Sequence, residues 1–131
     1  MKTTSYEISK KLKEEGFEAQ SSFFWCELDK DLIRIHISQS HCVPESIDKI
    51  KAYDLETILD ALPEKIKYKE EEYCFWMQWS GSSDCYIMGY VHGNLRATEL
   101  EVWREDEDKN SESLADTAGK MWLLLKEKGV L

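Results

Sequence analysis

Hydrophobic and polar residues alternate along the chain at two periods, one typical of helices and the other typical of strands. Near the start, Thr4 and Glu7 have the spacing of a capping box, in which each side chain accepts a free backbone N–H of the other residue. Ile8 and Leu12 follow at the i, i+4 spacing of one helix face. This pattern predicts a first helix that runs to about Gly16.

A strand-like pattern, rich in β-branched and aromatic residues, follows this helix. It fills residues 23–28 and 32–37, and polar residues 29–31 lie between the two runs. Two such runs around a short polar turn predict a β-hairpin. Within the second run, Ile33 and Ile35 share one face with Ile37, because side chains alternate between the two faces of a strand.

Two more helices are predicted further along the chain. Asp54 is a suitable N-cap for an apolar stripe that Pro63 ends. Ser113 and Asp116 stand at capping distance ahead of a longer stripe, and Gly129 supplies the C-terminal stop.

Four apolar runs separated by Glu-rich or Gly-containing turns lie between these two helices, at residues 66–69, 73–80, 85–91 and 95–103. They predict the strands of an antiparallel meander. The summed pattern predicts an α+β fold in the order α-β-β-α-β-β-β-α, with an antiparallel sheet of about five strands and helices packed on one face. The length of 131 residues fits a single domain covering residues 1–131.

The net negative charge of the chain argues against nucleic acid as a partner. The chain carries 26 acidic and 17 basic residues, a net charge of −9, and its pI is about 4.8. A protein without a positive surface does not attract the phosphate backbone, so we expect no binding to nucleic acid. We find neither a signal-like start nor the run of about 18 apolar residues that a membrane span needs, so we expect a cytoplasmic protein without membrane contact.

Motifs for catalysis are weak. The sequence has no G-x-S-x-G elbow, phosphate-binding glycine loop or H-E-x-x-H pair, which favours a protein without enzymatic activity or cofactor, without deciding the matter. The four cysteines lack the spacing of a disulfide scaffold and are predicted to be reduced. His36, His41 and Cys42 form a loose group without a second ligand pair, so no metal site is predicted.

Aromatic residues are the most unusual feature. Residues 73–79 and 85–91 carry apolar side chains on both faces of their predicted strands. Helices on one side of the sheet would leave part of the other face exposed, and exposed aromatic patches are typical of protein interfaces. The candidate partner-binding residues are Trp76, Trp79, Tyr86 and Tyr90. The alternative is that the segment from Ser38 to Lys51 closes this second face as a minor core.

Three segments occur together in this chain: the opening helix at residues 5–17, residues 53–63, which follow the pattern Y-x-L-x-x-L-L-x-x-L-P with Ile58 in place of one leucine, and the closing S-L-A-D helix from residue 113 to 129. In this order they resemble short uncharacterised proteins carried by phages and prophages. The matched positions are helix caps and core stripes, so the resemblance implies a scaffold and no known activity.

These observations lead to two hypotheses. The first is a small non-enzymatic interaction protein of the cytoplasm, derived from a mobile element, that binds a protein partner or a second copy of itself through the aromatic sheet surface. The alternative is a thiol- or metal-dependent activity in which Cys42 or Cys85 works with a nearby histidine.

Overall fold

The structure is a computed structural model that describes residues 2–80, 85–103 and 114–131, excluding the side chains of residues 79, 80, 85 and 86. The described part contains three α-helices: α1 (Tyr6–Glu14), α2 (Leu55–Ala61) and α3 (Leu114–Glu127). A short 3-10 helix covers Ile37–Cys42. The strands are β1 (Phe23–Leu28), β2 (Asp31–His36), β3 (Ile50–Ala52), β4 (Lys65–Tyr68), β5 (Glu71–Ser80), β6 (Cys85–His92) and β7 (Leu95–Trp103).

Helix α1 begins one residue later than its capping pattern predicts. The Ser5 side chain caps the helix by accepting the Ile8 N–H at 3.3 Å. Thr4 is wholly buried, and its hydroxyl lies 2.6 Å from the Ser9 hydroxyl and accepts the Tyr53 N–H at 3.1 Å. The prediction of Thr4 as the cap is wrong because this hydroxyl instead joins the N-terminal segment to the chain before α2.

The other two helices follow their predicted signals. Asp54 caps α2 by accepting the Thr57 N–H at 2.8 Å, and α2 ends shortly before Pro63, as predicted. Helix α3 ends ahead of Gly129, whose φ of +73° is left-handed and suits glycine. The predicted cap at Ser113 lies outside the described residues. None of the described helices is long and apolar enough to cross a membrane.

The strands form two separate antiparallel sheets. The first has the order β2-β1-β3 and contains the predicted hairpin, and the second is a meander with the order β4-β5-β6-β7. The α+β class is therefore confirmed, but the prediction of one sheet of about five strands is wrong. The physical reason is the short strand β3, which pairs with the edge of β1 that β2 leaves open, so that β1 cannot join the meander.

The main core lies between the helices and one face of the four-stranded sheet. Its buried members come from all three helices and from three strands of this sheet, and they include Leu12, Ile58, Ile66, Met88, Tyr90, Leu100, Met121 and Leu125. Helices α1 and α3 approach closely at Gly119, where an added Cβ would lie 2.7 Å from Ile8 Cγ2. Helix α1 is also tied to α3 because the Ser5 N–H donates to the Asp116 carboxylate at 2.6 Å.

A smaller core lies on the three-stranded sheet. Phe24 and Cys26 of β1 pack there with Val43 and Ile47, which come from the segment after the hairpin. The segment from Ser38 to Lys51 was the alternative cover for the second face of the aromatic strands. That expectation is wrong, because Val43 and Ile47 of this segment pack in the smaller core instead.

Candidate functional site

In the described part of the chain, the helices pack on one face of the four-stranded sheet, and the other face carries the candidate site. The register aligns three rows of side chains across β5, β6 and β7 on this face. We call these nine residues the open face: Cys74, Val91 and Arg96 in the first row; Trp76, Gly89 and Glu101 in the second; Gln78, Ile87 and Trp103 in the third. Cys74, Gln78, Arg96 and Trp103 are exposed.

At the centre of the open face, the Trp76 ring packs directly on the backbone of Gly89, which has no side chain. A Cβ at position 89 would lie 3.1 Å from Trp76 Nε1 and 2.9 Å from Glu101 Cγ. Glycine is therefore required here by close packing, because both neighbouring side chains occupy the space of a Cβ. The consequence is an indole that sits low on the sheet and is only partly exposed.

Arg96 and Glu101 form an ordered pair above this indole. The guanidinium donates to both carboxylate oxygens, with Nε–Oε1 at 2.7 Å and Nη2–Oε2 at 2.9 Å. The Glu101 side chain is only 3% exposed, and its hydrogen bonds raise the pKa of Arg96. The guanidinium carbon lies 5.2 Å from the centre of the Trp76 ring, a cation–π distance.

An irregularity in β7 brings these two residues together. In a regular strand, residues five apart point to opposite faces and lie about 17 Å apart. Gly89 pairs with Glu101, whereas Val91 pairs with Arg96 and not with residue 99, so three extra residues bulge out of β7. Bulges of this kind redirect side chains, and here the bulge places Arg96 beside Glu101.

The indole N–H of Trp76 is buried and has no hydrogen-bond partner among the described residues. Such a group costs about 1–3 kcal/mol relative to a paired one. Beside it, Trp103 is 50% exposed although its register partner Ile87 is buried. The open face thus combines an unpaired donor, an ordered arginine and an exposed indole.

A groove opens at the rim of the open face, next to Trp103. It lies between α1, α3 and the end of β7 and has a volume of about 860 Å³. Ile8, Val102 and Leu124 contribute apolar surface, and lysines and glutamates from both helices line it as well. Trp103 therefore belongs to the open face and also lines this groove.

The structure separates the predicted site residues. Trp76 lies on the open face as expected, but Tyr90 points to the opposite face, where it is wholly buried and its hydroxyl donates to the Pro63 carbonyl at 2.7 Å. The prediction that Tyr90 belongs to an exposed patch is therefore wrong, because the helices cover its face. The side chains of Trp79 and Tyr86 lie outside the described part, although their backbones pair in register.

Arg96, Glu101 and Trp103 were not among the sequence-predicted residues. Trp103 could have been found as the aromatic end of a predicted strand. The Arg96–Glu101 pair had no sequence signal, because an odd separation along a strand predicts opposite faces.

The thiol and metal alternative gains no geometric support. Cys42 is exposed and Cys26 is buried, and burial raises the pKa of the Cys26 thiol, which makes it less nucleophilic at neutral pH. The side chain of Cys85 lies outside the described part. Among the residues that the structure describes, no three histidine, cysteine or acidic side chains are grouped to hold a metal ion.

Comparisons with protein-family models, with curated proteins and with solved structures find no match to this chain. The resemblance to phage and prophage proteins therefore stays a prediction, and the site is argued from its geometry alone.

Proposed function

We propose that the protein is a small non-enzymatic interaction protein of the cytoplasm that binds a protein partner through the open face. The observation that carries this proposal is the Arg96 guanidinium held by Glu101 above Trp76, beside the half-exposed Trp103. Tryptophan and arginine are the residues most enriched among binding hot spots.

Preorganisation distinguishes this arginine from an ordinary surface arginine. A flexible side chain loses about 0.5–1.5 kcal/mol of conformational entropy when a partner immobilises it. The two hydrogen bonds to Glu101 have already restricted Arg96, so less entropy remains to be lost on binding. Glu101 also neutralises the charge of Arg96, which leaves a centre that suits apolar and aromatic partner groups.

The chemistry of the partner follows from these groups. The half-exposed indole of Trp103 favours a partner with apolar or aromatic side chains. Trp76 contributes indirectly, because its ring supports the Arg96 guanidinium and its buried N–H is out of reach of a partner. An exposed aromatic ring beside an ordered arginine is typical of a protein interface.

Site-specific photo-cross-linking in the cells that carry the protein tests the proposal. A benzophenone amino acid replaces Gln78, which is exposed on the open face, or Lys13, which is exposed on α1 as the matched control. We expect discrete adducts from position 78 and none from position 13. The variants Arg96→Ala and Trp103→Ala should each lower the adduct yield at position 78 more than about tenfold, the effect of a hot-spot residue.

Folding of each variant is checked by circular dichroism, and Arg96→Lys serves as the conservative variant. Lysine keeps the charge but loses the two-point bond to Glu101, so we expect it to behave like alanine. Equal adducts from both positions, or adducts at position 78 that the Arg96 and Trp103 variants leave unchanged, would contradict the proposal.

A further inference from the structure

Residues 3 and 4, which we call the strap, form hydrogen bonds with both parts of the molecule. The Thr4 carbonyl accepts the indole N–H of Trp25, in β1, at 3.0 Å. The Thr3 hydroxyl accepts an N–H of the Arg34 guanidinium, in β2, at 3.0 Å. On the other side, the Thr4 hydroxyl accepts the N–H of Tyr53, whose ring belongs to the main core. The strap therefore joins the three-stranded sheet to the main core.

The two side chains that reach the strap lie on one face of the three-stranded sheet. Trp25 and Arg34 stand opposite each other in the register of the hairpin. Because side chains alternate between the faces of a strand, they point away from Phe24 and Cys26. One face of this sheet therefore carries the smaller core, and the strap holds the other.

Apart from the strap, few interactions make the two parts cooperate. Among the described residues, the main core contains fourteen buried hydrophobic side chains, and the separate smaller core contains only Phe24, Cys26 and Val43. Backbone pairing also stops between the parts, since no described strand of the three-stranded sheet pairs with the meander. Regions that bury few apolar side chains open at a lower free energy than the whole protein unfolds.

We propose that the three-stranded sheet and the smaller core open as one unit while the main core stays folded, and that the strap holds this unit closed. Strand β3 lies against α1 and leads into Tyr53 of the main core, which makes this end of the sheet the hinge. Strands β1 and β2 then swing away from the strap, and the hydrogen bonds of Trp25 and Arg34 break.

Cys26 reports this opening directly. Its side chain is only 2% exposed and belongs to the smaller core, so a thiol reagent reaches it only when the unit opens. In a background with Cys42→Ser, Cys74→Ser and Cys85→Ser, it is the only thiol of the chain. We expect an aromatic disulfide reagent to label Cys26 without urea faster than global unfolding allows. The urea dependence of labelling should also be weaker, because it scales with the surface that is exposed.

Two variants in this background weaken the strap without changing the smaller core. Trp25→Phe removes the indole N–H and keeps an aromatic ring, and Thr3→Val removes the hydroxyl and keeps the shape. Each should raise the rate of Cys26 labelling about fivefold, as expected for the net loss of one hydrogen bond. Ile66→Val is the matched control, because it removes one methyl group from the main core. It should lower the midpoint of global urea unfolding and leave the labelling rate without urea unchanged.

Hydrogen exchange followed by mass spectrometry gives a second measurement. Trp25→Phe should speed exchange in peptides from β1 and β2 and leave peptides from β6 and α3 unchanged. The opening involves other elements than the open face, so this proposal and the proposed function fail independently. It would be overturned if Cys26 labelling followed global unfolding at every urea concentration, if Ile66→Val accelerated labelling as much as Trp25→Phe, or if neither strap variant changed it.

Discussion

The close approach of α1 and α3 allows a quantitative test of the core. Gly119 faces Ile8 across this contact, and a Cβ at position 119 would lie 2.7 Å from Ile8 Cγ2, well inside van der Waals distance. Ile8 cannot easily move aside, since a β-branched side chain has one preferred rotamer in a helix. Gly119→Ala is therefore expected to force the two helices apart.

Two opposing effects determine the size of the change. Alanine is favoured over glycine inside a helix by about 1 kcal/mol. Overpacking a close contact costs about 1–3 kcal/mol. With a clash near the middle of that range, we expect Gly119→Ala to lower the free energy of unfolding by about 1 kcal/mol.

A double-mutant cycle separates the two effects. Ile8→Ala removes the Cγ2 methyl group and should itself cost about 2–5 kcal/mol, as expected for a buried aliphatic side chain. In the Ile8→Ala background only the helix preference remains, so Gly119→Ala should now raise the stability by about 1 kcal/mol. The predicted coupling between positions 8 and 119 is therefore about 2 kcal/mol.

The assay is equilibrium unfolding in urea, followed by tryptophan fluorescence and circular dichroism at constant m-value. Ile8→Val is the control, because valine keeps the methyl group at the Cγ2 position and should leave Gly119→Ala destabilising. Independent sites couple by less than about 0.5 kcal/mol. A coupling below this limit, or a stabilising Gly119→Ala in the native sequence, would refute the steric explanation.

Three further predictions concern a buried phenol, a turn and a helix cap. Burial raises the pKa of Tyr90 above its ordinary value of 10.0, so above pH 10 the unfolded chain loses this proton more readily than the folded one. The free energy of unfolding should therefore fall as the pH rises above 10, and it should fall less steeply for Tyr90→Phe. Urea unfolding at several pH values measures both slopes. Glu70 has a φ of +67°, a left-handed conformation that is costly for residues with a Cβ and not for glycine. Glu70→Gly should therefore raise the free energy of unfolding by about 1 kcal/mol in the same assay. Asp54→Ala should lower the melting temperature through a loss of about 1 kcal/mol, because the Thr57 N–H loses its acceptor.

Each of these has a matched control. If the free energy of unfolding fell equally steeply above pH 10 for Tyr90→Phe and the wild type, burial would not be what keeps this phenol protonated. Glu71→Gly, in the adjoining strand, should destabilise the protein, and a gain from both glycines would contradict the turn explanation. Asp54→Ser should retain most of the stability, since serine is also a good cap, and a loss equal to that of alanine would argue against capping.

Part of the candidate site was predictable from sequence and part was not. Trp76 was identified because its strand carries apolar side chains on both faces. Tyr90 was assigned to the same surface wrongly, because alternation along a strand separates two faces without showing which one the helices cover. The Arg96–Glu101 pair depends on three extra residues in β7, and a bulge of this kind has no signal in the hydrophobic period.

The sequence by itself determined the local elements of this protein. The Asp54 cap, the stop at Gly129 and the hairpin around residues 29–30 follow from interactions between residues close together in the chain. Tertiary structure alone decided that the strands divide into two sheets, that β3 occupies the second edge of β1, and that Tyr90 is buried while Trp76 is not. These outcomes depend on hydrogen bonds and packing between distant segments, which compete for the same edges and faces.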